Sequence, residues 1–414
     1  MSVRNRRFGF CCLIGALALT TAELHAQSFG IELHNTMMPA SGGMAGASLS
    51  RPQDLQSAIN GNPATLTQFH GTQFSMGGGW AEATYNIEQL APLPLVGVDP
   101  YAAKSGTPGS AIPAIGVIQD FSALGLPVTT GVGVMANAGA GVDFRGVPAS
   151  GGTSAQYLAL DMIGAAGVAV TDRLSIGSSL IVGSSFLDGP FVDLGGMTPA
   201  YGLRGSVGLN YFLRDPTSVG FYYQTKKNFR FDDAAVFRNG VARDIEFDHP
   251  ANLGWGLADS SLLDGRLLLA ADVLYKIHSD ADFLKAIYKD QWVLQLGTQY
   301  SLTPRTRLRL GYAYNENPMR DASLTSIGGV NLPDGVPALR YIQGQFAAIS
   351  QHRLTGGVGV QDVLPGLDFD MFAGGMFQGS EQFASTNATV ESYWVGLGAT
   401  WRYGRGSAEC GKWQ

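Results

Sequence analysis

The sequence predicts an all-β fold: a 14-stranded antiparallel transmembrane β-barrel with a small N-terminal helical hatch inside the lumen. Three observations predict it. Most of the chain after residue 70 falls into long segments of period-two alternation. No segment after the first thirty residues offers eighteen uncharged apolar residues, so helical spans are not expected. The connections between the alternating segments are short and long by turns, the rhythm of a barrel with two unlike rims.

The N-terminus reads as an export signal. Arg4, Arg6 and Arg7 form a basic start, and residues 8–22 follow without a charge. That stretch is too short to span a bilayer comfortably. Leu24-His25-Ala26 places cleavage after Ala26, with Ala22 as the competing site, so residues 1–26 are expected to be removed. Cys11 and Cys12 lie in this signal, which leaves Cys410 as the single cysteine of the mature chain and excludes a disulfide scaffold.

Residues 27–70 do not alternate. They are small and polar, with Ser41-Gly42-Gly43-Met44-Ala45-Gly46-Ala47 followed by Asp54-Leu55-Gln56-Ser57-Ala58-Ile59 and then Asn60-Gly61-Asn62-Pro63-Ala64. Asn62-Pro63 is a helix start: Asn caps orphan N–H groups, and Pro at the first helical position loses no hydrogen bond. Two short helices joined by a Gly-Asn turn are expected, forming a plug. Inward glycines at 220, 297, 311, 357, 359, 374, 396 and 398 leave room for such a body to approach the wall.

The barrel is read over 71–403. Its strands are expected at 71–86, 113–122, 127–140, 155–170, 174–187, 199–213, 218–232, 243–259, 265–278, 290–301, 306–315, 350–361, 367–377 and 390–403. In 306–315, Leu308, Leu310, Tyr312 and Tyr314 alternate with Arg307, Arg309, Gly311 and Ala313. Strands of this length exceed the globular norm and suffice to cross a tilted bilayer. Long loops are expected at 87–112, 141–154, 188–198, 233–242, 279–289, 316–349 and 378–389. An even strand count leaves no open edge in lipid. Tyr211, Tyr223, Tyr275, Trp292, Tyr300, Tyr312, Trp401 and Tyr403 suit aromatic girdles. Gly398-Ala399-Thr400-Trp401-Arg402-Tyr403 resembles the terminal strand read by the outer-membrane assembly machinery, although a tail of residues 404–414 follows it. The alternative is an exported soluble β-sandwich or propeller, whose strands are usually shorter.

Composition narrows the function. Charged residues are 14%, glycines number 56, and Lys+Arg (27) trail Asp+Glu (33), so no basic excess exists for a nucleic-acid partner. Alternation points Asp161, Arg204, Asp272, Arg307, Arg309, Arg353, Asp368, Asp370 and Arg402 inward. They read as a lumen salt-bridge network anchoring the plug, or as a site where an arginine meets a ligand carboxylate. Asp280 and Asp282 read as solvated loop acids, or as ligands for a divalent cation shared with lipopolysaccharide. His34, His70, His249, His278 and His352 have no metal spacing, and no catalytic motif is present, so neither cofactor, metal nor enzymatic activity is expected.

The whole mature chain resembles the long-chain fatty acid transporter (FadL/TodX) family. The features that carry the resemblance are Phe29 near the mature N-terminus, the small-residue stretch 41–47, Asn62-Pro63-Ala64 before the first strand, and the strand count. Gly208-Leu209-Asn210-Tyr211 through Gly220-Phe221-Tyr222-Tyr223, and His249-Pro250-Ala251, add to it. The resemblance implies a multi-pass barrel in the outer membrane of a Gram-negative bacterium, a monomer among outer-membrane lipids and lipopolysaccharide. It implies passive uptake of long-chain fatty acids or aromatic hydrocarbons through an apolar pocket, with lateral release through the wall. Phe29, Asn62, Pro63 and Ala64 map to the hatch pathway; Gly131, Gly133 and Asn137 map to a kinked third strand at the lateral opening. A long tail gains about 0.8 kcal/mol per CH₂ in apolar surroundings, which favours a greasy route over an aqueous pore. The competing functions are an outer-membrane lipid-hydrolysing enzyme and a general porin.

Overall fold

The computed structural model describes residues 32–189, 197–236 and 242–403. The segment expected to be an export signal, Phe29 and the tail with Cys410 lie outside the described residues.

Fourteen strands form the wall: β1 Thr72–Gln89, β2 Ser110–Asp120, β3 Val128–Asp143, β4 Ser154–Ala169, β5 Leu174–Asp188, β6 Thr198–Arg214, β7 Thr217–Gln224, β8 Ala251–Leu262, β9 Leu267–Ile277, β10 Gln291–Ser301, β11 Thr306–Asn315, β12 His352–Leu364, β13 Leu367–Phe383 and β14 Thr386–Tyr403. A fifteenth strand in the same sheet, Tyr101–Lys104, pairs only with the upper end of β1. Each wall strand is antiparallel to its neighbours, and β14 closes on β1 from Thr72–Tyr403 to Gln89–Thr386. Closure leaves the sheet no outermost strand. Val132, Leu180, Leu203 and Leu310 project outward, each more than half exposed, as a lipid-facing band would.

Three boundaries differ from the sequence reading. The segment expected as loop 378–389 is ladder: β13 and β14 pair up to Phe383–Thr386 around a tight turn. The wall part of β7 ends at Gln224, and β8 begins only at Ala251. Between them the chain leaves the wall, and Arg230–Val236 pairs with Ala242–Glu246 in a separate ribbon. The loop expected at 233–242 is therefore replaced by a longer departure from the wall, from residue 225 to residue 250.

Residues 32–70 fill the lumen. They contain helix α1 (Leu55–Asn60) and two 3-10 turns, Ser41–Met44 and Pro63–Gln68. Met38, Leu55, Ile59 and Leu66 pack on Ala114, Ile118, Ile163 and Ile181 of β2, β4 and β5. Asp54 caps α1 through Ser57 N–H at 2.7 Å, and its other oxygen accepts from Ala40 and Ser41 N–H at 3.0 and 2.7 Å. At the long-loop rim the loops fold inward. Helix α2 (Leu284–Ile287) and helix α3 (Val336–Gln345) join Phe144, Phe231, Phe247, Phe283 and Phe346 in one buried apolar cap.

Candidate functional site

The Asn62-Pro63-Ala64 turn sits in a cradle of wall glycines. Asn62 Oδ1 accepts from Ala64 N–H at 3.1 Å, and its Nδ2 donates to the carbonyls of Leu49 (2.9 Å) and Leu209 (3.0 Å). The turn thereby caps its own helix and bonds to β6 at once. A Cβ on Gly177 would lie 2.4 Å from the Ala64 nitrogen, and one on Gly208 2.0 Å from Asn62 Oδ1. Only glycine admits that approach. The glycines expected to face the plug divide. Gly220, Gly297, Gly311, Gly357 and Gly398 meet hatch residues, whereas Gly359, Gly374 and Gly396 make room for wall side chains.

Strand β3 carries a bulge at Asn137. Its ladder with β4 runs Ala136–Leu160 and then Ala138–Ala159, so Asn137 is the extra residue. On its other side, β3 pairs with β2 only from Asp120–Thr129 to Ala114–Met135. Above Met135 it has no β2 partner, while β1 pairs with β2 only up to Ala81–Ser110. The result is a window in the ladder between β1 and β3, bridged at its top by Ser105 N–H to Tyr85 carbonyl (2.7 Å) and Gly106 N–H to Asp143 carbonyl (2.8 Å). Leu33 and Met37 of the N-terminal segment fill its inner side, packed with Ala81, Ile112 and Ala136. Gly131 and Gly133 lie below the window, where an added Cβ would meet Ile59 of α1 at 2.8 and 3.3 Å. The structure thus places Asn137 at the window, the two strand glycines against the hatch, and the Asn-Pro-Ala turn away from both, on β4, β5 and β6.

A buried polar belt separates hatch from cap. Glu32 receives Arg204 Nη1 at 2.7 Å and Asn252 Nδ2 at 2.8 Å, with His249 Nδ1 at 3.3 Å. Burial alone would raise the Glu32 carboxyl pKa, but Arg204 and His249 overcome it and hold the group well below the usual carboxylate range. Burial, and next Lys227, push His249 down to about 4, so it is neutral. Tyr157 OH lies 2.5 Å from His249 Nε2, which fits a proton on Nδ1 facing Glu32. Asp161 pairs with Lys227 and accepts from Asn137 Nδ2 at 2.7 Å. The bulge residue is therefore wired to the belt.

Of the inward charges read from the alternation, Arg204 and Asp161 belong to this belt, and Asp272 accepts from Ser48 and Leu49 N–H of the hatch at 2.6 and 2.9 Å. Arg309 pairs with Asp370 at 2.5 Å, and Arg402 with Asp368 at 2.8 Å. Those pairs line a half-open cavity of about 1260 Å³ at the short-turn rim, with Arg51, Gln53 and Arg307. That cavity lies across the hatch from the cap and mixes charged pairs with apolar side chains such as Phe69 and Phe212, so it is not a purely greasy pocket. In the cap, the apolar side chains pack on one another: Tyr157 stacks on Phe247 at 4.3 Å, and Phe247 meets Phe283 at 4.6 Å. Sequence reading passed over Glu32, Lys227 and Lys276. Lys276 shares the inward parity of Asp272, which was the available signal.

No family model and no curated protein matches the chain. Solved structures do. The Pseudomonas putida toluene transporter TodX aligns at 17% identity over 91% of this chain and 100% of its own, with a TM-score of 0.67. A Pseudomonas aeruginosa FadL homologue aligns at 14% identity over 91% and 100%, with a TM-score of 0.65. The Ralstonia pickettii toluene transporter TbuX aligns at 17% identity over 88% and 98%, with a TM-score of 0.58. The chain has the FadL/TodX fold. Within that fold, the hatch, the glycine cradle and the window described above are the features of this chain on which function can be argued.

Proposed function

We propose that this chain is an outer-membrane channel for the passive uptake of hydrophobic compounds, fatty acids or aromatic hydrocarbons. The ligand enters the aromatic cap from outside as the inward-folded loops give way. It leaves sideways through the β1–β3 window when Leu33 and Met37 withdraw. The observation that carries this reading is the shape of β3: its ladder to β2 stops where the Asn137 bulge begins, and the N-terminal segment stands in the opening. A lumen filled by residues 32–70 does not suit a general porin, and an apolar compartment beside a gap in the wall suits a solute that prefers lipid to water. The similarity in fold to the toluene transporters and the FadL homologue supports the same reading.

The test is uptake of labelled oleate and toluene by cells producing the protein, with mass spectrometry of what co-purifies. Saturable uptake and a bound lipid or hydrocarbon are expected. A protein that conducts ions steadily and takes up neither compound would overturn the reading.

A further inference from the structure

The two arms that leave the wall, residues 225–236 and 242–250, are clamped together where they depart. Lys227 N–H donates to the His249 carbonyl at 3.1 Å, and His249 N–H donates to the Lys227 carbonyl at 2.9 Å. Below this pair, Arg204 of β6 donates from Nε to the Thr225 carbonyl at 2.8 Å and from Nη2 to the Pro250 carbonyl at 2.5 Å. The base of the arms is set into wall glycines. A Cβ on Gly183 of β5 would lie 2.9 Å from Lys227 Nζ, and one on Gly202 of β6 2.6 Å from the Asn228 carbonyl oxygen. Farther along, Phe231, Ala235 and Ile245 of the arms are buried in the apolar cap.

Each arm grips one side of the β1–β3 window at this base. Lys227 Nζ pairs with Asp161, both fully buried, and the other Asp161 oxygen accepts from Nδ2 of the bulge residue Asn137 at 2.7 Å. His249 sets Nδ1 3.3 Å from Glu32 Oε1, next in the chain to Leu33 of the segment that fills the opening. Lys227 and His249 are bonded to each other through their backbones, so one grip does not shift without the other. Lifting the base would strip Lys227 from Asp161, and a buried carboxylate that loses its cation is costly. Movement of the arms is therefore tied to rearrangement on both sides of the window.

We propose that Lys227 and His249 interlock the apolar cap with the window, so that the arms and the N-terminal segment are released together. The inference rests on the uptake reading and deepens it: entry at the cap and exit at the wall are one concerted step. Lys227 is a positioning residue here, acting on the bulge through Asp161 and Asn137 rather than by touching cargo. By linkage, loosened arms favour the open window, and the open window favours loosened arms.

The experiment is hydrogen exchange of the full chain in lipid nanodiscs, read at the arms (residues 230–236), at the seal (32–38) and at the β3 side of the window (136–142). At high pH, where opening limits exchange, the three segments of the unaltered protein are expected to open at one rate. Ile245 is 3% exposed in the cap, away from the window. Ile245→Ala should speed exchange of all three segments at least about tenfold, the size of one truncated core side chain, and leave β11 and β12 unchanged. Lys227→Met with Asp161→Asn replaces the ion pair by neutral side chains of similar shape. In that background Ile245→Ala should still speed the arms but no longer speed residues 136–142 by the same factor. Separate opening rates in the unaltered protein, a measurement that needs no variant, would overturn the proposal. An Ile245→Ala protein in which the arms alone exchange faster would overturn it too, and an undiminished effect at 136–142 without the ion pair would remove Lys227 from it. If the unaltered protein takes up neither oleate nor toluene while the three segments open together, the uptake reading fails and the interlock stands.

Discussion

The backbone N–H of Leu33 donates to the carbonyl oxygen of Asn137 at 2.8 Å. One end of this bond belongs to the N-terminal segment and the other to the extra residue of the β3 bulge. The carbonyl that a regular β2 strand would have served is served by the hatch. The seal on the window is thus one short segment, held by this bond, by the side chains of Leu33 and Met37, and by the Glu32–Arg204 pair behind them.

Truncating the seal should loosen it. Leu33 is 3% exposed, and Leu33→Ala should cost the closed segment about 2 kcal/mol or more, over tenfold in its opening equilibrium. Hydrogen exchange of residues 32–38 in nanodiscs should accelerate by that factor, with the exchange of β9 and β10 unchanged. Equal exchange rates would mean that the side chain does not hold the segment.

Filling the cradle should unseat the hatch. Gly208→Val sets side-chain atoms where Asn62 Oδ1 lies, and Gly177→Val sets them on the Ala64 nitrogen. Either variant should still form a barrel that migrates anomalously without heating. It should conduct ions in planar bilayers where the unaltered protein does not.

Bulk at the glycines of β3 should obstruct the path beneath the window. A Cβ at Gly131 already falls 2.8 Å from Ile59 Cγ1, so the Gly131→Leu, Gly133→Leu pair must press α1 into the lumen. Uptake of oleate or toluene should fall several-fold while the barrel assembles in normal amount. Unchanged uptake would remove this part of β3 from the route.

The wall was legible because its cause is local. Leu308, Leu310, Tyr312 and Tyr314 face outward along β11, and alternation located that strand at 306–315 without help from any neighbour. Where burial does not govern, the pattern failed. Gln378, Ser380 and Glu381 read as loop because their side chains do not alternate apolar with polar; pairing with β14 and the Asn317–Glu381 bond at 2.7 Å, neither visible locally, hold that end. Phe229 and Phe231 kept the period of β7 running because Phe231 lies in a strand, but one paired in a separate ribbon that alternation cannot assign. The cradle was half legible: inward glycines announced a close-packed body without naming the residues that meet it. The belt was legible on the wall side alone: alternation turned Arg204 and Asp161 inward but did not name their partners Glu32 and Lys227. Glu32 and Arg204 are 172 residues apart, and only closure of the barrel brings them together.

Acid should loosen the same seal. His249 is held neutral, with its pKa near 4, and the unsealed state returns it toward its ordinary value of about 6.5. Between those values the open state binds a proton that the closed state refuses. On account of His249 the closed state is therefore fully favoured above about pH 6.5, weakens as pH falls toward 4, and loses nothing more below that. Burial, and next Lys276, push His34 down to about 3, which acts in the same direction. Exchange of residues 32–38, corrected for its intrinsic pH dependence, should rise from pH 7 to pH 4.5. His249→Gln should flatten that rise.

The central claim is that cargo leaves through the break in the β3 ladder, and deletion of Asn137 tests it most directly. Removing the one extra residue brings Ala136 and Ala138 into uninterrupted register with Leu160 and Ala159, without adding bulk to the lumen. Uptake of labelled oleate by cells producing equal amounts of assembled barrel is the measurement. Loss of uptake on deleting Asn137 is the predicted result; uptake at the rate of the unaltered protein would contradict the lateral route.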